Sequence, residues 1–148
     1  MSYFMRYLFT GDTVTLAEID AALRTIDANF RIQFEAGDVN SGDLYYEDDV
    51  FGEIALNMPG ETVYNEDLDE LRELIAPIDD PLKPMVATAL DNAHGMVALL
   101  VLEAGHVNPD ILEQLWDWLF DHAPGVLQVD DEGFYDYEKL VLPTTADE

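Results

Sequence analysis

Residues 108–136, NPDILEQLWDWLFDHAPGVLQVDDEGFYD, decide the fold. Asn108 is a helix N-cap residue, and Pro109 suits the first helical position, where its missing N–H would have no partner anyway. Ile111, Leu112, Leu115, Trp116, Trp118, Leu119 and Phe120 spread over about 200° of a wheel that turns 100° per residue. Glu113, Gln114, Asp117 and Asp121 occupy the rest. So wide an apolar arc exceeds what one sheet face needs. The helix is therefore either wedged between the sheet and another element, or it offers Trp116, Trp118 and Phe120 as the interface of a homodimer. Gly125, after Pro124, reads as a C-cap. Residues 126–129 and 134–137 then form a hairpin about Asp130-Asp131-Glu132-Gly133, with 140–142 extending its second strand.

Outward from this stretch the same grammar recurs. Residues 3–9 alternate as an aromatic strand, and Thr15-x-x-Glu18 has capping-box spacing for a helix whose Leu16, Ile19, Ala22, Leu23 and Ile26 share one face. A strand at 30–34 is broken by the Gly- and Asn-rich segment 37–42. Two shorter strands, 44–46 and 51–56, flank the acidic turn Glu47-Asp48-Asp49. Helices follow at 66–76, with acids in the first turn, and from Asp80-Pro81 to Leu90. Residues 96–102 contain no polar side chain, as a strand buried on both faces requires.

These elements predict a single globular α+β domain over 1–148. The expected architecture is a two-layer sandwich with a mostly antiparallel (mixed) sheet, helices on one face and a ferredoxin-like flavour. The segments at about 1–60 and 96–142 share a βαββ plan, which reads as a pseudo-repeat joined by a helical linker at 61–95. Residues 144–148 read as a frayed tail.

Composition narrows the chemistry. A hydrophobic share of 49%, with 2 Trp, 7 Tyr and 7 Phe, argues for a packed core despite the charge. There is no cysteine, so disulfides, thiolate metal sites and cysteine nucleophiles are excluded. No apolar run is long enough for a membrane-spanning helix, and no signal-peptide pattern opens the chain, so a soluble cytoplasmic protein is expected. Against 32 acidic residues stand only 6 basic ones, a net charge of −26. On a surface of about 7,600 Å² that is one excess charge per roughly 290 Å², about a third of the density of duplex DNA. Direct nucleic-acid binding is disfavoured because counterion release needs Lys and Arg.

Catalytic motifs are missing. Ser2 and Ser41 are the only serines and neither sits in a nucleophile elbow. His94, spaced i,i+3 from Asp91, and His106, spaced likewise from Glu103, are the weak acid–base candidates; His122 suits the dipole of a helix end. No histidine pair has zinc spacing, and the acidic runs lack the alternating oxygen ladder of an EF-hand, so no metal and no cofactor is implied. The charge itself is the more informative feature. An acidic surface flanked by tyrosines suits a basic protein partner, because charge speeds encounter and aromatics anchor it. The expected binding residues are Tyr45, Tyr46, Asp48 and Asp49 in the first acidic turn, and Asp130, Asp131, Glu132 and Tyr135 in the second. The expected function is that of a small non-enzymatic interaction protein of inhibitor, immunity or DNA-mimic type. The alternative is a small-ligand binder or enzyme with a His/carboxylate pocket between sheet and helices.

Overall fold

The structure, a computed structural model, describes residues 4–129, 132–136 and 139–143. In chain order they form β1 (Phe4–Thr10), α1 (Leu16–Ile26), β2 (Phe30–Glu35), β3 (Asp38–Tyr46), β4 (Asp49–Asn57), α2 (Thr62–Ile75), α3 (Lys83–Asp91), β5 (Gly95–Val101), α4 (Glu103–Val107), α5 (Pro109–His122), β6 (Gly125–Val129), β7 (Gly133–Asp136) and β8 (Lys139–Pro143). All eight strands join one sheet in the order β2-β3-β4-β5-β1-β6-β7-β8. Every neighbouring pair is antiparallel, so the fold is α+β with no parallel pairing in its sheet.

Strand directions explain the helices. β1 and β2 run the same way with three strands between them, and β5 and β6 run the same way with β1 between them. Strands of like direction need a crossover, which α1 supplies in the first case and α4 with α5 in the second. The first part of the chain reads strand, helix and three strands (β1-α1-β2-β3-β4), and the last reads strand, two helices and three strands (β5-α4-α5-β6-β7-β8). The two parts are wired differently, however: β4 borders β5, whereas β6 borders β1.

Helices cover both faces of this sheet, which corrects the expected two-layer arrangement. One core joins Leu16, Ile19 and Leu23 of α1 and Leu112, Leu115, Trp116, Leu119 and Phe120 of α5 to Leu8, Val97, Leu99, Val101, Leu127 and Val129 of the sheet. The other joins Tyr64, Leu68, Leu71 and Ile75 of α2 and Val86 and Leu90 of α3 to Phe9, Met96, Ala98, Val126, Phe134 and Leu142. The reason lies in β5, whose successive side chains point to opposite faces. Met96 and Ala98 enter one core, Val97, Leu99 and Val101 the other, so neither face could stay wet.

Local features follow the sequence in some places and depart from it in others. Thr15 and Glu18 form the reciprocal capping box, with Glu18 N–H donating to Thr15 Oγ1 (3.1 Å) and Thr15 N–H to Glu18 Oε1 (2.9 Å). Asn108 makes no side-chain cap bond; its carbonyl accepts from Ile111 N–H instead. α2 begins four residues before the expected position, so Glu66 and Asp67 lie beyond its first turn. Asp80 accepts the N–H of Leu82, and α3 starts only at Lys83. α5 ends at His122 with Ala123 as C-cap, and Gly125 already belongs to β6. A side chain at Gly125 would run into the carbonyl of Phe9, so glycine is needed there for strand approach. Residues 139–143 form a separate strand, β8, instead of lengthening β7. At the opposite edge, the Ile32 N–H of β2 donates to Asp20 Oδ1 of α1 (2.9 Å), which blunts that strand as a pairing template.

Among the described residues, no helix is long and apolar enough to cross a membrane.

An acidic groove as the candidate functional site

The second sheet face is only partly covered. α2 and α3 pack over β5, β1, β6, β7 and β8, and no residue of β2, β3 or β4 enters their core. Side chains of those three strands that point to this face, among them Gln33, Glu35, Ser41, Asp43, Glu53 and Ala55, are exposed or half-buried. Pairing register sets them in rows. Ser41, Ala55, Ala98, Tyr7 and Gln128 lie abreast on β3, β4, β5, β1 and β6. One row further along, Gln33, Asp43, Glu53 and Leu100 lie abreast.

Two hollows share this floor. One, of about 250 Å³, lies over β3, β4 and β5 and is lined by Glu35, Ser41, Asp43, Glu53, Ala55, Ala98 and Leu100. The other, of about 340 Å³, lies beneath α2 and is lined by Tyr7, Asp67, Glu70, Leu71, Leu74 and Gln128. Ala98 and Tyr7 are cross-strand partners, so the hollows adjoin and together span five strands, roughly 20 Å at the usual strand spacing. The small side chains of Ala55 and Ala98 keep the floor low. Carboxylates line both hollows, Glu35, Asp43 and Glu53 in the first and Asp67 and Glu70 in the second.

Three features of the groove cost stability in the free protein. Asp43 and Glu53 stand directly opposite one another on β3 and β4, and like charges so placed repel. Under α2, burial first, and then the charges of Glu70 and Glu66, hold the Asp67 carboxyl above its ordinary range. Gln128 is 3% exposed, and its Oε1 has no hydrogen-bond partner.

The residues expected from sequence fall elsewhere, at one end of the sheet, where the β3–β4 and β6–β7 turns both lie. Asp48 and Asp49 are exposed there. Tyr45 carries the Arg31 guanidinium 4.2 Å above its ring, and Arg31 also donates to the Glu47 carbonyl. Tyr46 does not present itself to solvent as an anchor. Its hydroxyl donates to Asp27 Oδ2 (2.6 Å), and its ring meets Phe30 and Phe51 edge-on. That hydrogen bond to Tyr46, followed by one from the Asn29 backbone, lowers the Asp27 pKa, and the same bond raises that of Tyr46. Asp130 and Asp131 lie outside the described residues. Glu132 accepts the Tyr135 hydroxyl, which raises the Tyr135 pKa. Both line a third hollow with Arg6, Pro109, Glu113, Leu127 and Val129.

Of the expected interface residues, Trp116 and Phe120 are 5% and 2% exposed, both inside the core that α5 shares with α1. The wide apolar arc of α5 is thus used within the chain, because α1 and α4 flank it. Only Trp118 retains surface, and His122 stacks on it at 4.6 Å.

The histidines do not converge. His94 and His106 lie beyond opposite ends of β5, about 20 Å apart along a strand of that length. His94 is exposed and donates its backbone N–H to Thr10; His106 is half-buried in α4. No histidine lines any of the hollows named above. Among the described residues, no group of three or more His, Asp or Glu side chains is gathered as metal ligands.

No protein-family model, curated protein or solved structure matches this chain.

Glu35, Glu53, Asp67, Glu70 and Gln128 were not singled out by sequence reasoning. Asp43 and Glu53 alternate with inward-facing Leu44 and Ile54, which marks each as outward-facing. Only strand pairing puts them opposite one another.

Proposed function

We propose that this protein is a non-enzymatic binding protein whose acidic groove receives an extended, Lys/Arg-rich segment of a basic partner. The observation that carries this is the opposed pair Asp43 and Glu53, with Glu35 beside it, on sheet surface that no helix covers. A row of repelling carboxylates over a low Ala55/Ala98 floor costs the free chain stability. Cationic side chains laid across it would relieve the repulsion. Two of the six basic residues, Arg24 and Arg31, instead line a separate hollow near Glu47 and Asp48. The net charge of −26 brings a basic partner in by long-range attraction, and the groove fixes where it docks.

The test is fluorescence anisotropy with a labelled ten-residue Lys/Arg peptide, comparing wild type with the Asp43→Asn/Glu53→Gln double variant. A charge-matched control, Glu103→Gln/Asp117→Asn, removes two acids elsewhere. The groove variant should bind roughly tenfold more weakly and the control nearly as wild type. Equal losses in both variants would mean diffuse attraction to net charge, and would overturn the groove as the docking site.

A further inference from the structure

The hollow beneath α2 differs in kind from the open groove beside it. Leu71, Leu74 and the Tyr7 ring form apolar walls, Asp67 and Glu70 provide carboxylates, and Gln128 lies on the sheet below. Gln128 is one of only two polar side chains that are buried among the described residues; the other, Thr10, donates to the Gly95 carbonyl. Gln128 has no such bond to its Oε1. A buried amide oxygen without a partner is costly, and its neighbours across the strands, Tyr7 on β1 and Phe134 on β7, do not supply a donor to it. The missing partner is a hydrogen-bond donor.

We infer that this hollow binds an alkylammonium group. The –NH₃⁺ head donates to the Gln128 amide oxygen and the Asp67 and Glu70 carboxylates, while its methylene stem lies on Leu71, Leu74 and Tyr7. Three donors on one compact cation match one amide and two carboxylates. The terminal torsion of Gln is broad and roughly two-fold, so the amide can turn its acceptor toward an entering donor. A hard divalent metal ion is a poorer occupant, since two carboxylates and one amide would leave much of its shell to water and it has no apolar part to place on Leu71, Leu74 and Tyr7. An ammonium head can come from a free alkylamine or from a lysine side chain, and the hollow adjoins the groove proposed for a basic segment. The inference also stands without that groove, because a free amine would fill the site alone.

NMR titration of the ¹⁵N-labelled protein with pentylamine, Nα-acetyl-lysine methylamide and pentanol tests this, with Gln128→Leu as the variant. Pentylamine should shift the Gln128 side-chain NH₂ and the Leu71 and Leu74 amides, and Gln128→Leu should weaken binding roughly tenfold or more. A like response to the capped lysine identifies a lysine side chain as an occupant; a response to pentylamine alone identifies a free amine. Pentanol binding as tightly as pentylamine would overturn the inference. So would undiminished pentylamine affinity in a Gln128→Leu protein that remains folded by circular dichroism, or an unshifted Gln128 NH₂ at about 10 mM amine, a Kd range in which even weak polar sites respond. Resonances of Asp43 and Glu53, followed with the Lys/Arg peptide in the same variant, report on the open groove separately.

Discussion

Replacing Glu53 with Gln should make the protein more stable and a poorer binder at once. Glu53 faces Asp43 across β3 and β4 on exposed sheet surface. Two carboxylates about 6 Å apart repel by roughly 0.7 kcal/mol in water, within the range of about 0.2–1 kcal/mol for cross-strand pairs. Relief of about 0.5 kcal/mol is expected at low salt. A chain of 148 residues has an unfolding entropy of roughly 0.3 kcal/mol/K, so the melting temperature should rise by about 2 °C. Binding of a basic peptide should weaken by about fivefold, equivalent to roughly 1 kcal/mol. Calorimetric melting and peptide anisotropy, each at about 0.02 M and 1 M salt, provide the assay. At 1 M the screening length is about 3 Å and both effects should shrink. Asp117→Asn on the exposed side of α5 is the control, since it removes the same charge from the whole. A Glu53→Gln protein that melts no higher than this control at low salt, and binds peptide as tightly as the control does, would show that Asp43 and Glu53 neither repel measurably nor contact the peptide.

Asp67→Asn should stabilise the protein near pH 7 and leave it unchanged near pH 3. The folded-state pKa of Asp67 is raised above its ordinary 3.8, so its contribution is favourable below 3.8 and is lost as pH rises through the folded-state value. Tyr46→Phe should flatten the acid limb of the stability profile. Asp27 has a lowered pKa, chiefly through the Tyr46 hydroxyl, so its contribution is present above 3.8 and lost as pH falls through the folded-state value; pH-dependent melting of both proteins checks this. Leu115→Ala, at a fully buried position between α5 and the sheet, should cost about 3 kcal/mol and lower the melting temperature by roughly 10 °C, measured by calorimetry.

Much of the fold was legible because local pattern and packing agree. Thr15 and Glu18 announce α1, and the apolar run 96–102 announces a strand buried on both faces. That run already required helices on both sides of the sheet. The segment 61–95 is more than a linker, since Leu68, Leu71 and Ile75 of α2 cover the second face. Gly42 resembles a strand breaker in sequence, yet it lies inside β3 beside an irregularity in the β2–β3 pairing, where the close backbone of Gln33 leaves no room for a side chain. α4 has only five residues around Gly105, too short for a periodic signal. The site was less legible than the fold. Acids are so frequent that no one of them stands out, and the meeting of Asp43 with Glu53 depends on strand register. Gln128 looks like any polar residue in a strand until α2 docks over it.

The most direct test of the acidic groove is a chemical-shift map of the ¹⁵N-labelled protein titrated with an extended Lys/Arg peptide at low salt. Shifts should concentrate at Ser41, Asp43, Glu53, Ala55, Ala98 and Leu100, continuing to Tyr7 and the α2 residues Asp67 and Glu70. Shifts confined to the turns at Asp48, Asp49 and Glu132, or spread evenly over the acidic surface, would contradict it.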